Sequence, residues 1–241
     1  MTTILQPGAD RYHTSLSWLD SQHSFSFGSH FDPENVGHGL LIVLNDDRVA
    51  PGGGFGRHSH TDMEIVTWVL SGSLAHQDSV GNSGVIHPGL LQRMSAGSGI
   101  AHSEMNDSSI EPVHFLQMWV LPDQLGVDPG YAQVDMTDQL AAGDLVCAAS
   151  GDDRGAVRLH QRHAAMWVAR PEAGAEIELP DNRYVHLFVA KGSGTIDGGR
   201  LSAGDAARFT DSGRQVFRAG EAGEASEIIV WESSRSVYDP G

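Results

Sequence analysis

Apolar residues in this chain come in short bursts. "GLLIVL" at 39–44 and "IVTWVL" at 65–70 are the longest, and Asn, Asp, Ser or Gly follows each. Bursts of this length are too short to span a bilayer, and no stretch of the first half shows a sustained helical period. They are rich in β-branched residues and are separated by turn formers drawn from 29 glycines and 10 prolines. The spacing predicts strands over 39–49, 64–70, 73–78, 84–87 and 113–121. It predicts further strands over 144–149, 156–160, 165–169, 175–179, 184–190 and 227–231. "VGNSG" at 80–84 is a hairpin turn. Strands recurring every eight to twelve residues point to an all-β sandwich or barrel.

The Pro/Gly/Asp-rich stretch within "WVLPDQLGVDPGY" (119–131) reads as a linker over 123–131, dividing the chain into 1–122 and 132–241. The halves echo each other. "TWVLSGSLAHQDSVGNSGVIHPGLLQRM" and "HLFVAKGSGTIDGGRLSAGDAARF" both run strand, glycine turn, strand, turn, corner, strand, which predicts two copies of one barrel. Ten of the 13 histidines lie at or before His114, so only the first copy is expected to carry metal ligands. A net charge of −16, with Lys191 the single lysine, argues against direct nucleic-acid binding. One cysteine, Cys147, excludes an internal disulfide and fits a reducing compartment. The N-terminus has no signal-like apolar run, so a cytoplasmic protein away from the membrane is expected.

Within "GRHSHTDMEIV", His58 and His60 stand at i and i+2, and "SGIAHSEMN" repeats that interval with His102 and Glu104. On extended strands such pairs leave one face together. Two inward-facing strands can then place three imidazoles and one carboxylate around a single divalent transition metal. Iron is the first expectation; nickel, cobalt, copper, manganese and zinc also suit this donor set. Taken alone, the first pair also reads as a polar loop and the second as a surface strand edge. Their occurrence in one expected barrel favours the metal. The remaining histidines take structural readings: "QHSFSFGSHF" as a cover over the barrel, His76 and His87 as hairpin residues, and His114 as a packed or cavity-wall residue. His160 and His163, three apart, would leave a strand on opposite faces, against a second metal. Phe55, Trp68 and Trp119 are core residues or the walls of an aromatic pocket.

Gly52, His58, His60 and Glu64, followed by Gly72, resemble the first cupin motif, and Gly99, His102 and Asn106 resemble the second. The block from Gly56 to Glu104, with "SWLDSQHSFSFGSHFDPENVGHG" before it, is similar to the pirin family over at least residues 10–122. The second half resembles the C-terminal cupin of bacterial pirin-like quercetinases. The resemblance implies two tandem cupin-type, jelly-roll-like barrels, the first binding metal and the second lacking ligands. It implies metal ligation by His58, His60, His102 and Glu104, with Glu64 beside the metal and hydrogen-bonded to a ligand imidazole. The activity implied is a quercetin 2,3-dioxygenase, which opens a flavonol ring with O2 and releases carbon monoxide, with Glu104 as the candidate base. The other role implied is a metal-containing regulator that senses redox state and contacts a protein partner. A monomer is expected, because the halves can cover one another.

Overall fold

In a computed structural model the structure describes residues 1–221 and 225–239. Among them only Thr137–Leu140 is α-helical, a single turn, and no helix is long and apolar enough to cross a membrane. The first half carries β1 (Thr2–Gln6), β2 (Tyr12–Ser15), β3 (Leu19–His23), β4 (Leu41–Val49), β5 (Gly54–His60) and β6 (Glu64–Ser71). They are followed by β7 (Leu74–Asp78), β8 (Ser83–Ile86), β9 (Leu90–Ser95), β10 (Ile100–Asn106), β11 (Val113–Val120) and β12 (Gly130–Asp135).

Two layers form each barrel. In the first, a seven-stranded sheet in the order β12-β9-β6-β11-β4-β3-β2 faces a four-stranded sheet in the order β5-β10-β7-β8. The second half repeats this with another seven-stranded and another four-stranded sheet, the duplication that the internal echo predicts. The expected strands at 39–49, 64–70, 73–78 and 113–121 form with their ends shifted by no more than two residues.

Pairing crosses the boundary drawn from the sequence. β12 begins at Gly130, inside the expected linker, and pairs with β9 of the first barrel. β1, at the other end, pairs with Ala206–Thr210 of the second barrel. Each half therefore lends an end strand, or keeps one past the linker, because an open sheet edge has backbone donors and acceptors to satisfy. Neither strand announces itself: β1 is almost wholly exposed, and β12 is half-buried up to an exposed Asp135. "AVRLH" is also shorter than expected, with only Val157–Arg158 paired and His160 in the loop beyond.

The large sheets pack back to back. Leu44, Val66, Trp68 and Met118 of the first meet Met166, Phe188, Ile229 and Trp231 of the second in one buried core. Histidines are sealed here too. His186 is 1% exposed with both ring nitrogens unpartnered, and burial pushes it well below the usual imidazole range. Burial likewise pushes His38 down to about 4. Both are neutral in the fold, whereas the unfolded chain takes up a proton near the ordinary value of 6.5, so the unfolded state binds more protons in acid. Stability is therefore expected to fall as the pH drops from about 6.5 toward 4. His186→Leu should flatten that decline in denaturant unfolding measured across this window; an unchanged slope would exonerate His186.

Candidate metal centre

β5 and β10 are antiparallel neighbours in the small sheet, and their register sets His102 directly opposite His58. A bulge then shifts the pairing, so that Glu104 lies opposite Phe55. Such irregularities re-aim side chains beside functional sites. Gly54 permits the close strand approach: at its φ of 155° a side chain would run into the Glu104 carbonyl.

The three imidazoles converge. Ring centroids lie 4.8 Å apart for His58–His60, 4.4 Å for His58–His102 and 5.0 Å for His60–His102. One donor atom from each lies within 4.8 Å of the other two. Glu104 joins through His102, in a second trio that also contains His76, at the same separation.

Atoms able to bind a cation are left free. His60 Nε2, His102 Nε2 and Glu104 Oε1 are buried without a hydrogen-bond partner. Buried polar atoms are nearly always satisfied, and three orphans at one spot are what an absent ligand would leave. His58 donates Nδ1–H to the Gly56 carbonyl at 2.8 Å, which leaves its Nε2 as a lone-pair donor. Burial, with the neighbouring His58 adding to it, pushes His60 down to about 4 and His102 down to about 3. Neutral nitrogens are the form that coordinates. Three neutral imidazoles and one carboxylate fit a divalent first-row cation.

Glu104, 2% exposed, is pushed up to about 7 by burial, against the pull of hydrogen bonds from Gln117 and Thr67. Gln117 Nε2 donates to Glu104 Oε2 at 2.7 Å, and Trp119 Nε1 donates to Gln117 Oε1 at 3.1 Å. Sequence reasoning missed Gln117; its signal was a polar residue on the same face of β11 as Phe115 and Trp119.

Two expectations are corrected. Glu64 touches no ligand imidazole. It is 1% exposed, accepts a hydrogen bond from Ser95 Oγ at 2.9 Å, and accepts from the His160 backbone N–H at 3.1 Å. His160 Nδ1 lies 3.3 Å from its other oxygen, so Glu64 ties the second half to the first rather than serving the metal. His76 is no ordinary hairpin residue either: it is 2% exposed, its ring 5.2 Å from that of His102. His114 turns away from the centre and pairs with Asp46 at 2.5 Å. Trp68 belongs to the core between the barrels.

His58, His60 and Glu104 open into a cavity of about 350 Å³. Phe27, Phe55 and Trp119 wall it, and Trp119 stands edge-on to His60 at 4.9 Å between ring centroids. Phe27, from the expected cover segment, lies edge-on to Trp119 at 5.6 Å.

Family comparison agrees with the geometry. Residues 8–120 match the Pirin family, and residues 145–232 match the Quercetinase C-terminal cupin domain. A protein of Mycobacterium tuberculosis, provisionally designated a quercetin 2,3-dioxygenase, is 53% identical over 241 residues, 99% of this chain and 98% of its own.

The chain belongs to the pirin family.

Another pirin relative, the quercetin 2,3-dioxygenase of Escherichia coli K12, is 39% identical over 229 residues, 95% of this chain and 97% of its own. The crystal structure of the E. coli bacterial pirin YhhW in complex with nickel(II) superposes with a TM-score of 0.88 at 35% identity. That match covers 98% of this chain and 100% of YhhW.

Proposed function

We propose that this pirin is a metal-dependent dioxygenase of the quercetin 2,3-dioxygenase type, opening a flavonol ring with O2 and releasing carbon monoxide. The observation that carries the reading is that unpartnered His60 Nε2 and Glu104 Oε1 belong to residues lining an aromatic-walled cavity, while His102, with its own unpartnered Nε2, links the two trios behind them. His58, His60, His102 and Glu104 would hold one divalent cation, iron first among the candidates and nickel supported by its presence in YhhW. A cation there would acidify a flavonol hydroxyl that reaches it and support reaction with O2.

The remaining work belongs to the chain. Phe27, Phe55 and Trp119 bind the planar rings and keep water from the reacting face. Glu104, held through Oε2 by Gln117, accepts the proton of the flavonol 3-hydroxyl at Oε1, the same oxygen it would offer the cation, so ligation and proton transfer alternate on one atom. The walled cavity favours catalysis on a small aromatic molecule over a purely regulatory role. A monomer fits the back-to-back packing of the two large sheets.

The test is O2 consumption and carbon monoxide release with quercetin, after loading with iron, nickel or cobalt, set beside metal analysis. Glu104→Gln should lower turnover by about 10²–10⁴, the range for a positioned acid–base group, while bound metal stays near wild type. Turnover equal to wild type would remove Glu104 as the base; no turnover by any loaded wild type would remove the dioxygenase reading.

A further inference from the structure

The wall of the cavity across from the histidines is polar, and of it the proposed chemistry at the metal uses only Gln117. Registers on the large sheet align His23, Asn45, Gln117, Thr67 and Gln92 as a cross-strand row over β3, β4, β11, β6 and β9. Ser21 and Asp47 pair in the same way two residues along. Of these, Ser21, His23, Asn45, Asp47 and Gln117 line the cavity together with His58, His60 and Glu104.

Asp47 is the anomaly. It is 2% exposed, and no cation pairs with it among the described residues. The Ser21 hydroxyl donates to Oδ1, and Oδ2 has no hydrogen bond among the described residues. Burying a carboxylate this way is costly unless something else satisfies it. Burial pushes it up to about 7 against the Ser21 hydrogen bond, with Asp46 and Glu104 adding like charge.

Asn45, on the same face of β4, is its complement. Its Oδ1 accepts from His23 Nδ1 at 2.8 Å, and the Thr14 hydroxyl meets His23 Nε2 at 2.9 Å. This chain fixes the amide, and Asn45 Nδ2 makes no hydrogen bond among the described residues. A free acceptor and a free donor thus stand on one strand face, their Cα atoms about 7 Å apart for residues i and i+2.

We infer that Asp47 and Asn45 form a hydroxyl-reading subsite, selecting flavonols that carry ring hydroxyls remote from the one at the metal. A remote hydroxyl donates to Asp47 Oδ2, and it or a neighbouring hydroxyl accepts from Asn45 Nδ2. The inference rests on the dioxygenase reading for its substrate class. It adds the reason a polyhydroxylated flavonol outcompetes a bare one: a site built to hydrogen-bond a hydroxyl rejects the analogue that leaves its buried groups unpaired.

The experiment compares quercetin with 3-hydroxyflavone, which keeps the hydroxyl for the metal and lacks the rest. Wild-type enzyme loaded with nickel or iron should prefer quercetin by at least about a hundredfold in kcat/KM. Asp47→Ala should lower that preference about tenfold or more, and Asn45→Ala should lower it in the same direction. Metal content and melting temperature are measured alongside, and Asn45→Ala serves if the Asp47 variant does not fold. An unchanged preference in both variants overturns the subsite. Where turnover is absent, the same ratio is read from anaerobic binding by quenching of tryptophan fluorescence, with a Trp119→Phe control to identify the cavity signal. Binding with the expected ratio but no turnover sinks the dioxygenase reading alone; failure of wild type to bind quercetin more tightly than 3-hydroxyflavone sinks the subsite.

Discussion

His102→Ala is expected to lower metal affinity by more than about a hundredfold, exceeding the 10–100-fold typical of an outer hydrogen-bond partner. Quercetin turnover should fall by about 10³ or more, equivalent to ~4 kcal/mol of barrier. His102 is the hinge of the centre, the one residue shared by the two trios, that with His58 and His60 and that with His76 and Glu104. At 1% exposure its place cannot be taken by a side chain swinging in from solvent. Metal analysis after dialysis and O2 consumption are the measurements. Full metal retention in this variant would show that the four side chains are not one coordination set. Melting of the metal-free protein should fall by a few degrees only, because the cavity left by this buried ring is offset by removal of an unpartnered Nε2.

Trp68→Ala is expected to cost about 4 kcal/mol of stability, in the 3–5 kcal/mol range for emptying a buried aromatic site. Trp68 is fully buried between the barrels. Its indole N–H donates to Glu227 of the second half, and the Arg170 guanidinium lies 5.6 Å from its ring centroid. The substitution therefore opens a cavity and strips a donor from a buried carboxylate, which keeps Arg170 at 2.9 Å. For a chain of this size the melting temperature should drop by about 10 °C. The variant should still load metal below its transition, because the centre lies in the other layer of the first barrel. A shift under about 3 °C would mean that the interface relaxes around the loss.

Both predictions concern positions visible in the sequence, though which surface Trp68 packs against was not readable there. His58, His60, His102 and Glu104 could be picked out because an extended strand sends residues i and i+2 to one face, so two such pairs make a local signature. Trp68 sat in "EIVTWVL" with core packing the default and a pocket wall the alternative, and packing against a sheet more than 90 residues away bears out the default. Glu64 misled for the same reason. The family resemblance implied a place beside the imidazoles, yet a loop of the second half delivers His160 to it instead. β1 and β12 were missed because strands that complete a neighbour's edge need no strong apolar pattern of their own.

Local periodicity was thus enough to determine the all-β class and the duplication and to put forward His58, His60, His102 and Glu104 as candidates, since each depends on strand geometry repeated over a few residues. Which groups oppose those four, namely Gln117 behind Glu104 and Asn45 with Asp47 across the cavity, was decided only by register between strands distant in the chain. Backbone pairing accepts any side chain, and the fit of two buried faces selects one register among the alternatives.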